Sequence, residues 1–370
     1  MFSNTFKNKN ILITGSSGFK GSWLSLWLKK LEANVWGISN ELPSKPSMFE
    51  ELGIENIINK NYIINLGDVG NGLDKIFDEV RPDIVFHLAA QPIVSKSYQN
   101  PVDTIHSNVM GTTNILNSIS MQKKQTIGVI ITSDKCYDNL ELQRGYKEDD
   151  VMGGKDIYSG SKGAAELIFK SYYHSFFKNH DFNSLIASAR AGNVIGGGDW
   201  GANRIIPDAV TSWSRNKTIN IRNPKSTRPW QHVLEPLSGY LSLANKLINN
   251  PNINGQSYNF GPDEKNKKNV ENLIRNLAKE WNFLDIDKSY QIENMNEFHE
   301  AGLLQLDCFK ASQELNWEPA LSYKQMVTFT SSWYKEFYQN KGGTNMILKT
   351  FDQINNYENI ALDKNFEWAK

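Results

Sequence analysis

Two short groups of residues in this 370-residue chain carry side chains suited to moving protons and hydride. Tyr158 and Lys162 form Tyr-x-x-x-Lys at the start of a helical stretch that continues to about residue 177. Four residues apart, both side chains lie on one helical face. An ammonium beside a phenol lowers the phenol's pKa and makes it a usable base for a hydroxyl near neutral pH. The second group is Thr132-Ser133-Asp134-Lys135-Cys136-Tyr137. An acid and a base stand side by side there behind two hydroxyls, which is what an elimination needs. In isolation the same Asp-Lys pair reads better as a strand-ending turn with solvated charges.

A third group is Gly15, Gly18 and Gly21, a Gly-x-x-Gly-x-x-Gly between an apolar run and a helical pattern. The spacing departs by one residue from the usual dinucleotide fingerprint. The physical demand is the same: a tight turn, close approach of backbone to pyrophosphate, and a helix N-terminus aimed at negative charge. The next apolar run ends in Ile38-Ser39-Asn40-Glu41 with no arginine nearby, so it leaves NAD and NADP open while leaning against a ribose phosphate. Asp68 follows a third run, where it reads either as an acceptor for the adenine amino group or as a solvated turn residue.

The elements that must position these groups are short apolar strands alternating with helices. Runs at residues 10–14, 34–38, 62–65, 83–88, 127–132 and 184–189 predict six strands, with helices at 21–31 and 73–80 and long helical patterns before the fifth and sixth. That is an α/β chain with a Rossmann-type, doubly wound parallel sheet. The reactive hexapeptide then lies at the carboxyl end of the fifth strand, where ligands bind in open parallel sheets. After Arg190 the texture becomes loop-rich, with glycine, proline and arginine recurring through Pro229. Residues 231–249 read as helix and 257–260 as a short strand. The expected division is a dinucleotide-binding domain over 1–190, re-entered by 232–262. A smaller mixed C-terminal substrate lobe takes 191–231 and 263–340. A polar, asparagine-rich tail over 341–370 is expected either to wrap the surface or to be disordered.

Lys plus Arg and Asp plus Glu both number 40, so the formal net charge is zero and offers no footprint for nucleic acid or an anionic membrane surface. The two cysteines, Cys136 and Cys308, are too few for a disulfide framework and lack metal-ligand spacing; no metal is expected. The N-terminal residues are polar and run directly into the first strand, and no apolar run is long enough to cross a bilayer, which predicts a cytoplasmic protein.

Taken together the motifs resemble those of CDP-glucose 4,6-dehydratases, within the extended short-chain dehydrogenases. The resemblance rests on the stretch from Gly15 to Leu24, on His87-Leu88-Ala89-Ala90-Gln91-Pro92, and on Asn108 to Thr112. It continues through Thr132 to Tyr137, Tyr158 to Lys162, Arg190 to Trp200, Arg204 to Asp208, Arg222 to Pro224 and Thr227 to Val233. His299-Glu300-Ala301 and Leu306-Asp307-Cys308 extend it into the C-terminal lobe. The segment from Arg190 to Pro236 is its most specific part. Ser16-Ser17 departs from a commoner His-Thr pair, and Asp134-Lys135 stands where other sugar-nucleotide dehydratases carry Asp-Glu.

The resemblance implies an enzyme that uses NAD to convert CDP-glucose to a 4-keto-6-deoxy product. Tyr158, assisted by Ser133 and Lys162, takes the 4-hydroxyl proton as hydride leaves C4. Lys135 removes the C5 proton, Asp134 assists departure of the 6-hydroxyl as water, and hydride returns to C6. Gly15, Gly18, Phe19, Gly21, Asp68, Leu88, Ala89 and Ala90, with Tyr158 and Lys162, are the implied cofactor set. Asn193, Arg204 and Arg228 are expected to hold the substrate diphosphate, since a guanidinium's planar fork of donors suits phosphate oxygens. Trp200 and Trp230 read equally as pocket lining or core. The superfamily pattern also implies a homodimer through a four-helix interface built from residues 103–119 and 157–177. Alternatives are a dehydratase or epimerase acting on another nucleoside-diphosphate hexose, and a non-catalytic dinucleotide sensor.

Overall fold

A computed structural model describes residues 1–70, 72–178, 184–263, 268–293, 304–339 and 345–370. In chain order the elements that matter begin with β1 (Asn10–Thr14), α1 (Phe19–Lys30), β2 (Asn34–Ser39), β3 (Lys60–Ile63), α2 (Leu73–Val80) and β4 (Ile84–His87). They continue with α3 (Gly111–Ser120), β5 (Ile127–Ile131), α4 (Ile157–Tyr172), β6 (Leu185–Ala191), α5 (Leu234–Asn249), β7 (Ser257–Phe260) and α6 (Asn345–Asp363).

Seven strands form one parallel sheet in the order β7-β6-β5-β4-β1-β2-β3. The chain builds outward from β1 in one direction through β2 and β3, then returns to β4 and builds the other way. The carboxyl ends of β1 and β4 flank the switch point, where open α/β sheets bind ligands. Thr14 pairs in register with Ile38 on one side and His87 on the other. β4, β5 and β6 are buried along their whole length, as a sheet covered on both faces requires. Successive side chains go to opposite faces: Ile11 and Ile13 join one apolar cluster, and Leu12 joins another with Val85, Ile130 and Ile186.

Several sequence expectations change. The sheet has seven strands rather than six, because Ser257–Phe260 pairs with β6 from Ser257↔Ser188 to Phe260↔Ala191. The third strand begins two residues earlier than the apolar run, since β3 is a half-exposed edge where hydrophobicity does not mark pairing. The helix read from residue 231 starts at Leu234. Gln231 and His232 instead form a short parallel ladder with Val194 and Ile195.

Residues 345–370 are not a disordered or surface-wrapping tail. Asn345–Asp363 form α6, which packs on α1 and on the helix Tyr323–Gln339 and buries Ile354, Tyr357 and Ala361. Trp27 Nε1 donates to Glu358 Oε1 at 2.8 Å, which ties α1 to this helix. Among the described residues no helix is long and apolar enough to cross a membrane.

Candidate active site

The chain leaves β5 through Thr132 and turns at once. Ser133 caps the single turn Asp134–Cys136, its Oγ accepting from the Lys135 amide at 3.3 Å and donating to Asp134 Oδ1 at 2.9 Å. The exit of the turn is tied down where the Gly153 amide donates to the Cys136 carbonyl at 2.9 Å. Asp134 is buried, and its Oδ2 has no hydrogen-bond partner among the described residues. A Cβ placed on Gly192 would stand 3.1 Å from that oxygen, so the glycine gives the carboxylate its room. Lys135 is half-buried. A buried acceptor left unpaired is costly, so this oxygen stands out among the polar atoms of the turn.

Helix α4 brings the second pair to this turn. Asp156 caps it by accepting from the Ser159 amide at 2.9 Å, which fixes Tyr158 in the first turn and Lys162 one turn later. Both are buried, and Lys162 Nζ lies 5.9 Å from the centroid of the Tyr158 ring. Burial pushes the Tyr158 phenol up to about 12; a hydrogen bond with Ser133 pulls it back, and Asp134 pushes the same way as burial. The expectation that the neighbouring ammonium lowers the phenol is therefore corrected: burial raises it, and the groups that pull it back are Ser133 and then Arg204. Lys162 responds to the same burial in the opposite sense and is brought down to about 8.

The glycine turn fits a dinucleotide. Gly15 has φ of +73°, and a Cβ there would be 2.8 Å from the Ala89 amide nitrogen. A Cβ on Gly21 would be 2.1 Å from the Gly15 carbonyl oxygen, so α1 can approach the strand only without one. Gly18 caps α1, whose first amides have no partner within the helix and offer donors to an anion. Leu88, Ala89 and Ala90 follow β4 directly across the switch point. The Ala89 amide donates to Thr14 Oγ1 at 3.2 Å, which holds this segment against the turn. Asp68 is exposed beyond β3, bonded to Asn65 Nδ2 at 3.1 Å and 3.5 Å from His106 Nε2.

The expected substrate residues are placed by the loop-rich segment. Asn193 precedes the short ladder, its carbonyl accepting from the Gln231 amide at 3.1 Å. Arg204 caps the helix Ile205–Trp213 and donates to Asp199 Oδ2 at 2.8 Å. Burial opposes its charge, but Asp199 and the nearby Tyr158 phenol hold the guanidinium above its ordinary value. Arg228 lies in a two-residue strand paired with Lys268 and Asn269, its Nη1 donating to the Thr227 carbonyl at 3.1 Å. Trp200 and Trp230 are both buried: Trp200 packs on Phe337 at 4.8 Å, and Trp230 donates to the Lys268 carbonyl. Their packing role explains them. His299-Glu300-Ala301 lies outside the described residues.

Sequence reasoning missed Lys20, which sits inside the glycine motif. Burial first, then Lys162 and Arg204, bring its ammonium down to about 8, while Asp134 acts against them. Its Nζ is 3.4 Å from Tyr240 Oη. A lysine between two fingerprint glycines was the available signal. It also missed the buried ion pair of Glu166 and Arg190, for which the signal was a carboxylate one turn beyond Lys162.

The chain matches the family model described as GDP-mannose 4,6 dehydratase over residues 12–330. It is 40% identical over 359 residues to a CDP-glucose 4,6-dehydratase of Salmonella typhimurium, covering 96% of this chain and 97% of that one. It is 25% identical over 345 residues to a dTDP-glucose 4,6-dehydratase of Haemophilus influenzae, covering 88% and 97%. Among solved structures, a dTDP-glucose 4,6-dehydratase from Bacillus anthracis in complex with NAD superposes with a TM-score of 0.73 at 18% identity, covering 91% of this chain and 99% of that one.

Proposed function

The chain belongs to the GDP-mannose 4,6-dehydratase family, and from that premise we propose that it converts CDP-glucose to CDP-4-keto-6-deoxyglucose with NAD as cofactor. The observation that carries the reaction is the buried Asp134 carboxylate. It is held by Ser133 beside Tyr158 and Lys162, with one oxygen unpartnered. A pure epimerase needs the redox pair but has no use for a separate acid and base across C5 and C6. The choice of cytidine rests on the 40% identity over nearly the whole of both chains.

Gly15, Gly18, Phe19, Gly21, Asp68 and the segment Leu88 to Ala90 would hold NAD, which would accept hydride from C4 and give it back to C6. The rest is the work of the chain's own side chains. Tyr158 takes the proton of the sugar 4-hydroxyl, with Ser133 bonded to its oxygen and Lys162 stabilising the phenolate. The ketone formed at C4 acidifies the C5 hydrogen, and Lys135 takes it as a proton, which returns to C5 when C6 has received hydride. Asp134 gives a proton to the departing 6-hydroxyl, which leaves as water. Asn193, Arg204 and Arg228 hold the diphosphate, so the hexose is oriented with C4 toward α4 and C5–C6 toward the turn.

We assign residues 1–190 with 232–262 to cofactor binding and 191–231 with 263–340 to substrate. Support comes from α5 packing on β5 and β6, and from β7 joining β6. The apolar side chains of Tyr98, Val102, Ile105, Ile157 and Leu167 are exposed on neighbouring helices, which supports a homodimer through this four-helix face. The free thiols of Cys136 and Cys308 suit a cytoplasmic location. The test is incubation with NAD and a panel of CDP-, dTDP-, UDP- and GDP-hexoses, followed by mass analysis. Loss of one water, fastest from CDP-glucose, is the expected result. A preference for another nucleotide overturns the substrate, and isomerisation without water loss overturns the reaction.

A further inference from the structure

Glu166 lies four residues beyond Lys162 on α4, on the same face one turn further in. Its carboxylate is fully enclosed and accepts from Thr132 Oγ1 at 2.5 Å, Ser188 Oγ at 2.9 Å and Arg190 Nη2 at 2.8 Å. Arg190, equally buried, sends Nη1 to Tyr137 Oη at 2.7 Å and to the Glu148 carbonyl at 3.0 Å. The Tyr137 hydroxyl in turn donates to Asn259 Oδ1 at 2.7 Å. Thr132 and Tyr137 are the two ends of the turn that carries Ser133, Asp134 and Lys135. One carboxylate therefore grips the near end directly and the far end through a single guanidinium.

A buried ion pair is weak evidence for stability, because desolvation consumes most of its attraction. Its better-attested use is to fix one arrangement among several. Here the arrangement it fixes is the register between the turn after β5 and helix α4. We propose that Glu166 is a positioning residue that, with Arg190, sets this register and so the separation of the oxidising pair from the eliminating pair. The proposal rests on the functional reading above. Tyr158 and Lys162 both ride on α4, so a loosened turn reaches them only through Ser133. Asp134 and Lys135 ride on the turn, and both must reach C5 and C6 of a sugar that α4 holds.

Thr132→Val tests this, since it deletes one bond of the clamp, keeps the side chain's shape and leaves the ion pair in place; Thr132→Ser restores the hydroxyl. In a single turnover with NAD and CDP-glucose, Thr132→Val should slow formation of reduced nicotinamide far less than it slows water loss, with an unchanged KM. Water loss should slow by at least about tenfold, within the ~100-fold that a misplacement of 1 Å can cause. A second readout needs no turnover: Cys136, wholly buried inside the turn, should react faster with a thiol reagent in Thr132→Val but not in Thr132→Ser. Should Thr132→Val fail to fold, Arg190→Lys loosens the far end and is held to the same outcomes. Equal slowing of both steps, no slowing of either, or unchanged Cys136 protection overturns the proposal. A parent enzyme that dehydrates no sugar nucleotide ends the functional reading instead, and leaves the Cys136 comparison to judge the clamp.

Discussion

Ser133 donates its hydroxyl to Asp134 Oδ1 at 2.9 Å, so the residue that bonds the Tyr158 phenol also orients the neighbouring carboxylate. Tyr158 and Asp134, proposed above as the base of the oxidation and the acid of the elimination, are thereby joined through one side chain. The other carboxylate oxygen is left buried and unpartnered toward Gly192.

Asp134→Asn should keep the Ser133 bond through its amide oxygen while losing the ability to give a proton. Hydride removal from C4 should continue, and formation of the 6-deoxy product should slow by about 100-fold or more, as loss of a general acid does. Quenched single turnovers with mass analysis of the sugar check this. An unchanged product rate would remove Asp134 from the elimination.

Arg228→Met should weaken substrate binding and leave cofactor binding alone. A charge-assisted hydrogen bond contributes about 1.5–3 kcal/mol, so KM for CDP-glucose should rise by about tenfold or more. The NAD dissociation constant, measured by calorimetry, should stay at the parent value. An unchanged KM would place Arg228 away from the diphosphate.

Glu235 gives the fold a pH dependence of its own. It is buried at the start of α5 and accepts from the Ala320 amide at 2.9 Å, the Leu321 amide at 2.6 Å and Tyr357 Oη at 2.6 Å. Burial raises its carboxyl from 4.5 to about 7, against the pull of these donors. Between those values the folded protein binds the proton that the unfolded chain has released, so stability falls as pH rises from 4.5 to about 7 and is flat above. The full difference corresponds to about 3 kcal/mol. Glu235→Gln should remove that slope, which melting temperatures of both proteins across pH 5–8 will measure. Parallel curves for the two would contradict the assignment.

The glycine turn and Tyr-x-x-x-Lys were legible because each is complete within a few residues and its geometry is set by one turn or one helix. The seventh strand was not assigned to the sheet, because nothing within Ser257–Phe260 tells which strand it joins. Helix α6 was hidden by composition: its buried positions, Met346, Ile354, Tyr357 and Ala361, follow a helical period but are diluted by asparagine. Arg204 was read as a phosphate ligand. Its ion pair with Asp199 depends on how a loop folds back over five residues, which spacing does not reveal. Glu166 and Arg190 meet across 24 residues, from a helix and a strand, and only the sheet brings them together.

The central claim divides the reaction between Tyr158 on the helix and Lys135 on the turn, and a comparison of two variants tests it most directly. Lys135→Met keeps much of the side chain's bulk and cannot take a proton; Tyr158→Phe keeps the ring and cannot accept the hydroxyl proton. Stopped-flow nicotinamide absorbance, with mass analysis of the quenched sugar, follows both steps in one turnover. Lys135→Met should accumulate bound reduced nicotinamide without 6-deoxy product, while Tyr158→Phe should form reduced nicotinamide only very slowly. Product at the parent rate from Lys135→Met, or loss of its first hydride step as complete as in Tyr158→Phe, would contradict the account.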